Sequence, residues 1–340
     1  MSCKNKIKCL GIFSALVTAL TGCVGDGGDM KTSEFFAMDT YISISARGEE
    51  AEEALRCCRR EVEELEARLS VTDESSEIYK INQGAEKGTD LSGDTEKIIA
   101  RALEISEKTE GALDISLYPV IREWGFTTGN YKIPDKSGLA KLLKNTGYEK
   151  VRLEDGRLTL PQGFSLDLGA VAKGYAGDKV IELLKEKGIT SALVNLGGSI
   201  SLLGARPDGS DWSIGIQNPF GDGYACVVSA SGKAIVTSGN YQRYFEENGR
   251  RYCHIIDPKT GCPADNGLAS VTVIGSSGLV SDGLSTALFV MGEEKAVELW
   301  REQGDFEMVI VAEDKRVLVT EGIFDNCTVG ELGKPVKVER

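Results

Sequence analysis

The sequence predicts an α+β fold, with mixed, largely antiparallel sheets and helices packed against them. Three observations carry that expectation. Apolar residues recur at three- and four-residue spacing in the first half of the chain, which marks amphipathic helices. Beyond residue 190 the texture changes to short β-rich runs separated by Gly, Asn and Asp turns. Helices and strands do not alternate strictly, as a doubly wound parallel sheet would require.

Taken in order, the first residues read as targeting rather than fold. "MSCKNKIK" is basic, and "CLGIFSALVTALTG" is an apolar run short of a comfortable membrane span. It ends in "LTGC", with Leu20 and Gly22 before Cys23. That pattern resembles the cleavage site of a bacterial lipoprotein leader, with an uncleaved membrane anchor as the alternative. Cleavage would leave Cys23 as a diacylated N-terminus, and two acyl chains make a stable anchor. Residues 1–22 are thus expected to be a signal peptide, 23–33 a lipidated tether, and 34–335 the folded domain. The expected location is the extracytoplasmic face of a cell membrane.

In the domain, "EEAEEALRCCRREVEELEARLS" places Ala51, Leu55, Cys58, Val62, Leu65 and Leu69 on one helical face. "DTEKIIARALEISEKTEG" is a second helix, capped by Asp94 or Thr95 and stopped at Gly111. "GYAGDKVIELLKEKG" is a third. The runs "SALVNLGG", "WSIGIQ", "ACVVSA", "AIVTSG", "RYCHII" and "ASVTVIG" read as strands. "LVSDGLSTALFVMG" and "EKAVELWREQG" return to helix, and "FEMVIVAED" with "RVLVTEG" reads as a closing hairpin.

The formal charge of −13 gives no electrostatic reason to bind nucleic acid, whose phosphates need basic partners. An anionic small molecule is repelled as well, unless a cation or local lysines intervene. Of nine cysteines, Cys3 and Cys9 would leave with the leader and Cys23 would be lipidated. Cys57, Cys58, Cys226, Cys253, Cys262 and Cys327 show no metal-ligand spacing, and burial is the reading for most. A Cys253–Cys262 bridge stays open.

Four stretches are rich in groups that a core does not need. "DLGAVAKGYAGD" sets Asp167 and Lys173 around glycines just before a helix, where free N–H groups favour anions; a plain turn explains the glycines equally well. "NLGGSI" ends a strand in two glycines. "HIIDPKTG" holds His254, the only histidine, ahead of a tight turn at Asp257. A lone strand histidine is more often structural than catalytic. In "SDGLSTA" the helical spacing puts Asp282, Ser285 and Thr286 on one face. One carboxylate with two hydroxyls offers hard oxygen ligands suited to Mg²⁺, though an N-cap with polar first-turn residues fits this segment as well.

Together, and in this order, these stretches with "FAMDT", "GALDIS" and "TSGNYQRYF" resemble the ApbE family, the FAD:protein FMN transferases once called thiamine-biosynthesis lipoproteins. The resemblance implies an ApbE-like, T-fold-like architecture. It also implies transfer of the FMN half of FAD, through a phosphoester bond, to a Ser or Thr hydroxyl of another protein, with Mg²⁺ bound and AMP released. By similarity, Asp282, Ser285 and Thr286 would hold Mg²⁺ together with the backbone carbonyl of Ala170. Met38, Ala112, Leu113, Asp114, Asp167, Lys173, Ile256 and Asp257 match positions at FAD. His254 would accept the acceptor hydroxyl's proton, as an imidazole with a pKa near ambient does well, or would orient FAD. Thr72 stands where the family often has a flavin-stacking aromatic, with Tyr79 nearby. Expected partners are FAD, flavoprotein subunits of membrane redox complexes, and the membrane itself. The competing readings are an anchored FAD-binding lipoprotein and a pyrophosphatase giving FMN and AMP. Self-flavinylation within "SDGLSTA" is disfavoured, because metal-held hydroxyls are poor nucleophiles.

Overall fold

In a computed structural model of the chain, residues 29–340 are described. The leader, Cys23 and most of the tether lie outside the described residues.

The hairpin β1 (Lys31–Ala37) and β2 (Thr40–Arg47) opens the fold, three residues inside the segment read as tether. Helices α1 (Ala51–Leu69) and α2 (Glu77–Gly84), strand β3 (Thr89–Asp90) and helix α3 (Gly93–Lys108) follow. Short helices α4 (Tyr118–Trp124) and α5 (Lys136–Leu142) and strands β4 (Arg152–Glu154) and β5 (Arg157–Thr159) lead to α6 (Ala172–Glu186). Strands β6 (Ser191–Leu196), β7 (Ser199–Leu203), β8 (Trp212–Gln217), β9 (Tyr224–Ala230) and β10 (Ala234–Gly239) come next. They are followed by β11 (Tyr244–Glu247), β12 (Arg250–Cys253) and β13 (Leu268–Gly275). Helices α7 (Gly278–Met291) and α8 (Glu293–Gln303) precede β14 (Glu307–Ala312) and β15 (Val317–Thr320). The chain closes with α9 (Glu321–Phe324), β16 (Cys327–Val329) and β17 (Val336–Val338).

Nine strands form one sheet in the order β1-β2-β6-β7-β10-β13-β14-β15-β17. Every neighbouring pair is antiparallel except β15–β17. The sheet is buried on both faces, and strand alternation shows why. On β14, Met308 and Ile310 join the helix-side core, while Val309 and Val311 join a second core. That second core is capped by the small sheet β16-β9-β8. A third cluster of Leu117, Val120, Trp124, Phe126, Leu139 and Ile256 packs with the β11–β12 hairpin.

The amphipathic face of α1 is buried as its spacing predicts. The start of α3 is corrected: Ser92 rather than Asp94 or Thr95 is the cap. Glu77 holds Ser92 through its N–H and hydroxyl, at 2.6 Å each, and also takes the Thr95 hydroxyl at 2.5 Å. Asp94 is drawn off by Arg68 at 2.5 Å and by the Tyr175 hydroxyl at 2.6 Å. His254 falls just after β12 rather than within a strand. All six domain cysteines are free thiols, with Cys58, Cys226 and Cys253 buried and Cys262 exposed.

Candidate active site

Two helix starts meet at the site. Asp282 lies in α7 and is 4% exposed. One of its oxygens accepts the Gly174 N–H of α6 at 2.8 Å. Burial pushes its acid form up, Lys173 opposes that shift, and the Asp178 carboxylate adds to it. Ser285 and Thr286 follow at i+3 and i+4, as the spacing predicts. A hydroxyl that the sequence did not single out joins them: Ser238, on β10, stands 2.8 Å from Ser285 Oγ and 3.1 Å from Thr286 Oγ1. Ser285 is fully buried and donates to the Asp282 carbonyl at 2.9 Å. Thr286 is half-buried and is the more open hydroxyl of the two.

The loop before α6 carries the second group. The Asp167 N–H donates to the Ile115 carbonyl, and its carboxylate accepts the Gly169 N–H, both at 2.8 Å. The Asn82 amide fixes the backbone beside it, with two bonds to Leu166 at 2.7 and 2.8 Å. Burial raises the Asp167 acid, against the positive charges of Arg243 and Lys173. Ala170 is half-buried, two residues ahead of α6. Lys173 stands in the first turn of α6, and its charge opposes the rise of the Asp167 and Asp282 acids and the protonation of His254.

His254 donates its N–H to the Arg243 carbonyl at 3.0 Å, and its Nδ1 lies 3.1 Å from the same oxygen. A carbonyl can only accept, so the neutral ring carries its proton on Nδ1 and leaves the Nε2 lone pair available. Burial lowers the pKa to about 4, helped by Arg243 and Lys173. This corrects the expectation of a pKa near ambient. The ring is a weaker base than free imidazole, but the lowered pKa favours its neutral form, with Nε2 free of a proton, across the neutral range.

The remaining predicted residues build the surroundings. Met38 and Asp39 have φ of 52° and 56°, the left-handed pair that a two-residue hairpin turn between β1 and β2 demands. The Glu66 carboxylate pins that turn by accepting the Met38 N–H at 2.7 Å. Leu113 is buried against Gly283 of α7, and Ala112 packs on the main core. Asp114 takes the N–H and hydroxyl of Ser116 at 2.8 and 2.7 Å, and burial raises its acid form. Ile256 turns its side chain into the third cluster. Asp257 engages both oxygens in its own turn, with the Lys259 N–H at 2.9 Å and the Thr260 hydroxyl at 3.1 Å. The Thr72 N–H bonds Ser70 Oγ at 3.2 Å, while Tyr118 donates its hydroxyl to the neighbouring Val71 carbonyl, also at 3.2 Å.

Sequence reasoning missed Ser238 and Arg243, although both lie in the quoted "TSGNYQRYF". The guanidinium of Arg243 donates to the Phe126 carbonyl. A groove of about 650 Å³ beside α1 and α2, lined by residues including Glu64, Arg68, Lys80 and Asp90, contains none of the site residues.

With that geometry in place, comparison decides the family. The profile of the ApbE family matches residues 38–310. This chain belongs to the ApbE family. It is 36% identical over 275 residues to a FAD:protein FMN transferase of Haemophilus influenzae, covering 76% of this chain and 77% of that one. A FAD:protein FMN transferase of Treponema pallidum is 33% identical over 341 residues, covering 92% of this chain and 94% of that one. Among solved structures, the ApbE protein of Thermotoga maritima superposes with a TM-score of 0.82 at 31% identity, over 86% of this chain and 98% of that one. The flavin transferase ApbE of Vibrio cholerae gives 0.78 at 28%, over 86% and 97%. The α+β fold is therefore the ApbE fold, and family membership makes the chain an enzyme of the flavin-transferase kind.

Proposed function

We propose that this ApbE-family chain takes FAD as substrate and transfers its FMN half to a Ser or Thr hydroxyl of an acceptor protein, with Mg²⁺ bound and AMP released. The observation that carries the reading is the α6–α7 junction, where Asp282 accepts the Gly174 N–H at 2.8 Å and the half-buried Thr286 hydroxyl stands 3.1 Å from Ser238 Oγ, with Lys173 in the first turn of α6. Such a site receives a diphosphate.

The donor set fits Mg²⁺. Asp282, Thr286 and the Ala170 carbonyl are all oxygen donors, with Ser285 behind them. Among the described residues no cluster of three or more His, Cys, Asp or Glu forms a full metal cage. Mg²⁺ commonly takes one or two carboxylates and completes its shell with phosphate oxygens and water. When bound, it would neutralise pyrophosphate charge and stabilise the departing AMP.

The chain's own residues supply the rest. Lys173 places a point charge at the diphosphate, and Asp167 with Gly169 shapes the loop that receives it. Met38, the 112–114 stretch, Ile256 and Asp257 frame the flavin nucleotide. His254 Nε2 accepts the proton as the acceptor oxygen bonds to the FMN phosphorus. The bond from that phosphorus to the AMP oxygen breaks, and AMP leaves with its oxygen. Cys23 would anchor the enzyme on the extracytoplasmic face of the membrane, among acceptor subunits of membrane redox complexes.

Incubation with FAD, Mg²⁺ and a Ser/Thr acceptor domain tests the reading. Flavin fluorescence that stays with the denatured acceptor is the expected result. Free FMN without labelled acceptor supports hydrolysis instead, and unchanged FAD supports a binder.

A further inference from the structure

Helices α6 and α7 touch backbone to backbone. A Cβ placed on Gly174 would stand 2.1 Å from the Gly278 carbonyl, and one on Gly278 would stand 2.4 Å from the Gly174 carbonyl. Both helices carry the same local pattern at this crossing, a glycine followed four residues later by an aspartate: Gly174–Asp178 and Gly278–Asp282. The aspartates are exchanged between the helices. Asp282 Oδ2 accepts the Gly174 N–H at 2.8 Å, and Asp178 Oδ1 accepts the Gly278 N–H at 2.6 Å.

The two carboxylates differ in what else they do. Asp178 Oδ2 also takes the Leu279 N–H at 3.0 Å and the Ser277 hydroxyl at 2.8 Å. Asp178 is thus spent on the free N–H groups of the first turn of α7, where a negative charge is favoured by the helix dipole. Asp282 has only one oxygen tied to α6, and the proposed function assigns the other to the cation.

We infer that Asp178 is a positioning residue that sets the axial register of α7 on α6 and thereby places Asp282. This rests on the proposed Mg²⁺-dependent reading. The magnitude favours it: a helix rises about 1.5 Å per residue, whereas Mg²⁺ demands near-ideal geometry with oxygens at about 2.0–2.1 Å. A slip of a fraction of one residue displaces Asp282 beyond that tolerance. The glycines permit the contact, and the exchanged aspartates fix where along it the helices stop.

The test uses Mn²⁺ as a spin probe for the cation, measured by electron paramagnetic resonance with FAD present. Asp178→Ala should weaken Mn²⁺ binding by about 10- to 100-fold, the range for groups that orient ligands. Asp178→Asn keeps one acceptor for Gly278 and should fall between wild type and Asp178→Ala. Asp135→Ala removes the cap of α5, a 2.9 Å bond to the Gly138 N–H; it should lower Tm without moving Mn²⁺ affinity. Hydrogen exchange at the Gly174 amide, measured without metal, should accelerate in Asp178→Asn and stay unchanged in Asp135→Ala. Wild-type Mn²⁺ affinity and wild-type Gly174 protection in the Asp178 variants overturn the inference. Wild-type enzyme that takes up no Mn²⁺ with FAD overturns the functional reading, and the inference with it.

Discussion

Burial and the positive charges of Arg243 and Lys173 disfavour a second proton on the His254 ring. Its pKa falls from 6.5 to about 4, so the base form is complete at neutral pH and is lost only as pH drops through about 4. Two expectations follow for transfer. His254→Ala should slow it by about 10²- to 10⁴-fold, the usual contribution of a general base, with FAD affinity largely kept. The ratio of wild-type to His254→Ala rates should hold constant from pH 8 to 6 and shrink toward pH 4. Stopped-flow rates across that range check both, and a ratio that halves at pH 6.5 contradicts the assignment. At this scale the sequence made His254, Asp167, Lys173 and Asp282 legible, since each stands in a stretch too polar or too glycine-rich for core. Ser238 and Arg243 were not legible. Ser238 matters because β10 is laid under α7, and Arg243 because its carbonyl meets the histidine ring; both are long-range contacts that no local pattern records.

Helices were the easiest elements to read, because an amphipathic face repeats over several turns. The α1 spacing therefore predicted every residue it named on the buried face, and Ala54, one position from Leu55, is buried beside them. The start of α3 was less legible, because Asp94 is engaged by Arg68 and Tyr175, both distant in sequence, while Ser92 holds the cap position with its hydroxyl given to Glu77. The β1–β2 hairpin carries a readable signal in the alternating apolar positions Ile42, Ile44 and Ala46, all of which are buried. The α6–α7 crossing makes a sharper statement. Gly174→Ala inserts a methyl group against a backbone carbonyl and should destabilise the fold by about 1–3 kcal/mol through overpacking. Denaturant unfolding reads this directly, and an unchanged midpoint would show that the helices do not meet as described. Gly283→Ala should cost less, because the nearest atoms at 2.9–3.3 Å are side-chain ends able to shift.

Across the whole molecule, the nine-stranded sheet acts as a rigid floor buried on both faces, and the site sits where two helix starts meet above it. A chain of net charge −13 repels a dinucleotide in general. Lys173 and Arg243 reverse that locally, and a bound cation would complete the reversal. Fold class and family are legible in the sequence, because the glycine-rich stretches and "SDGLSTA" occur in one order along most of the chain. What sequence could not supply was the distance between them. The most direct test of the account is therefore a crystal of the protein with FAD and Mn²⁺, examined by anomalous scattering at the manganese edge. A peak among Asp282, Thr286 and the Ala170 carbonyl, in contact with the FAD diphosphate, is the predicted result. FAD bound with the peak elsewhere, or with none, would contradict it.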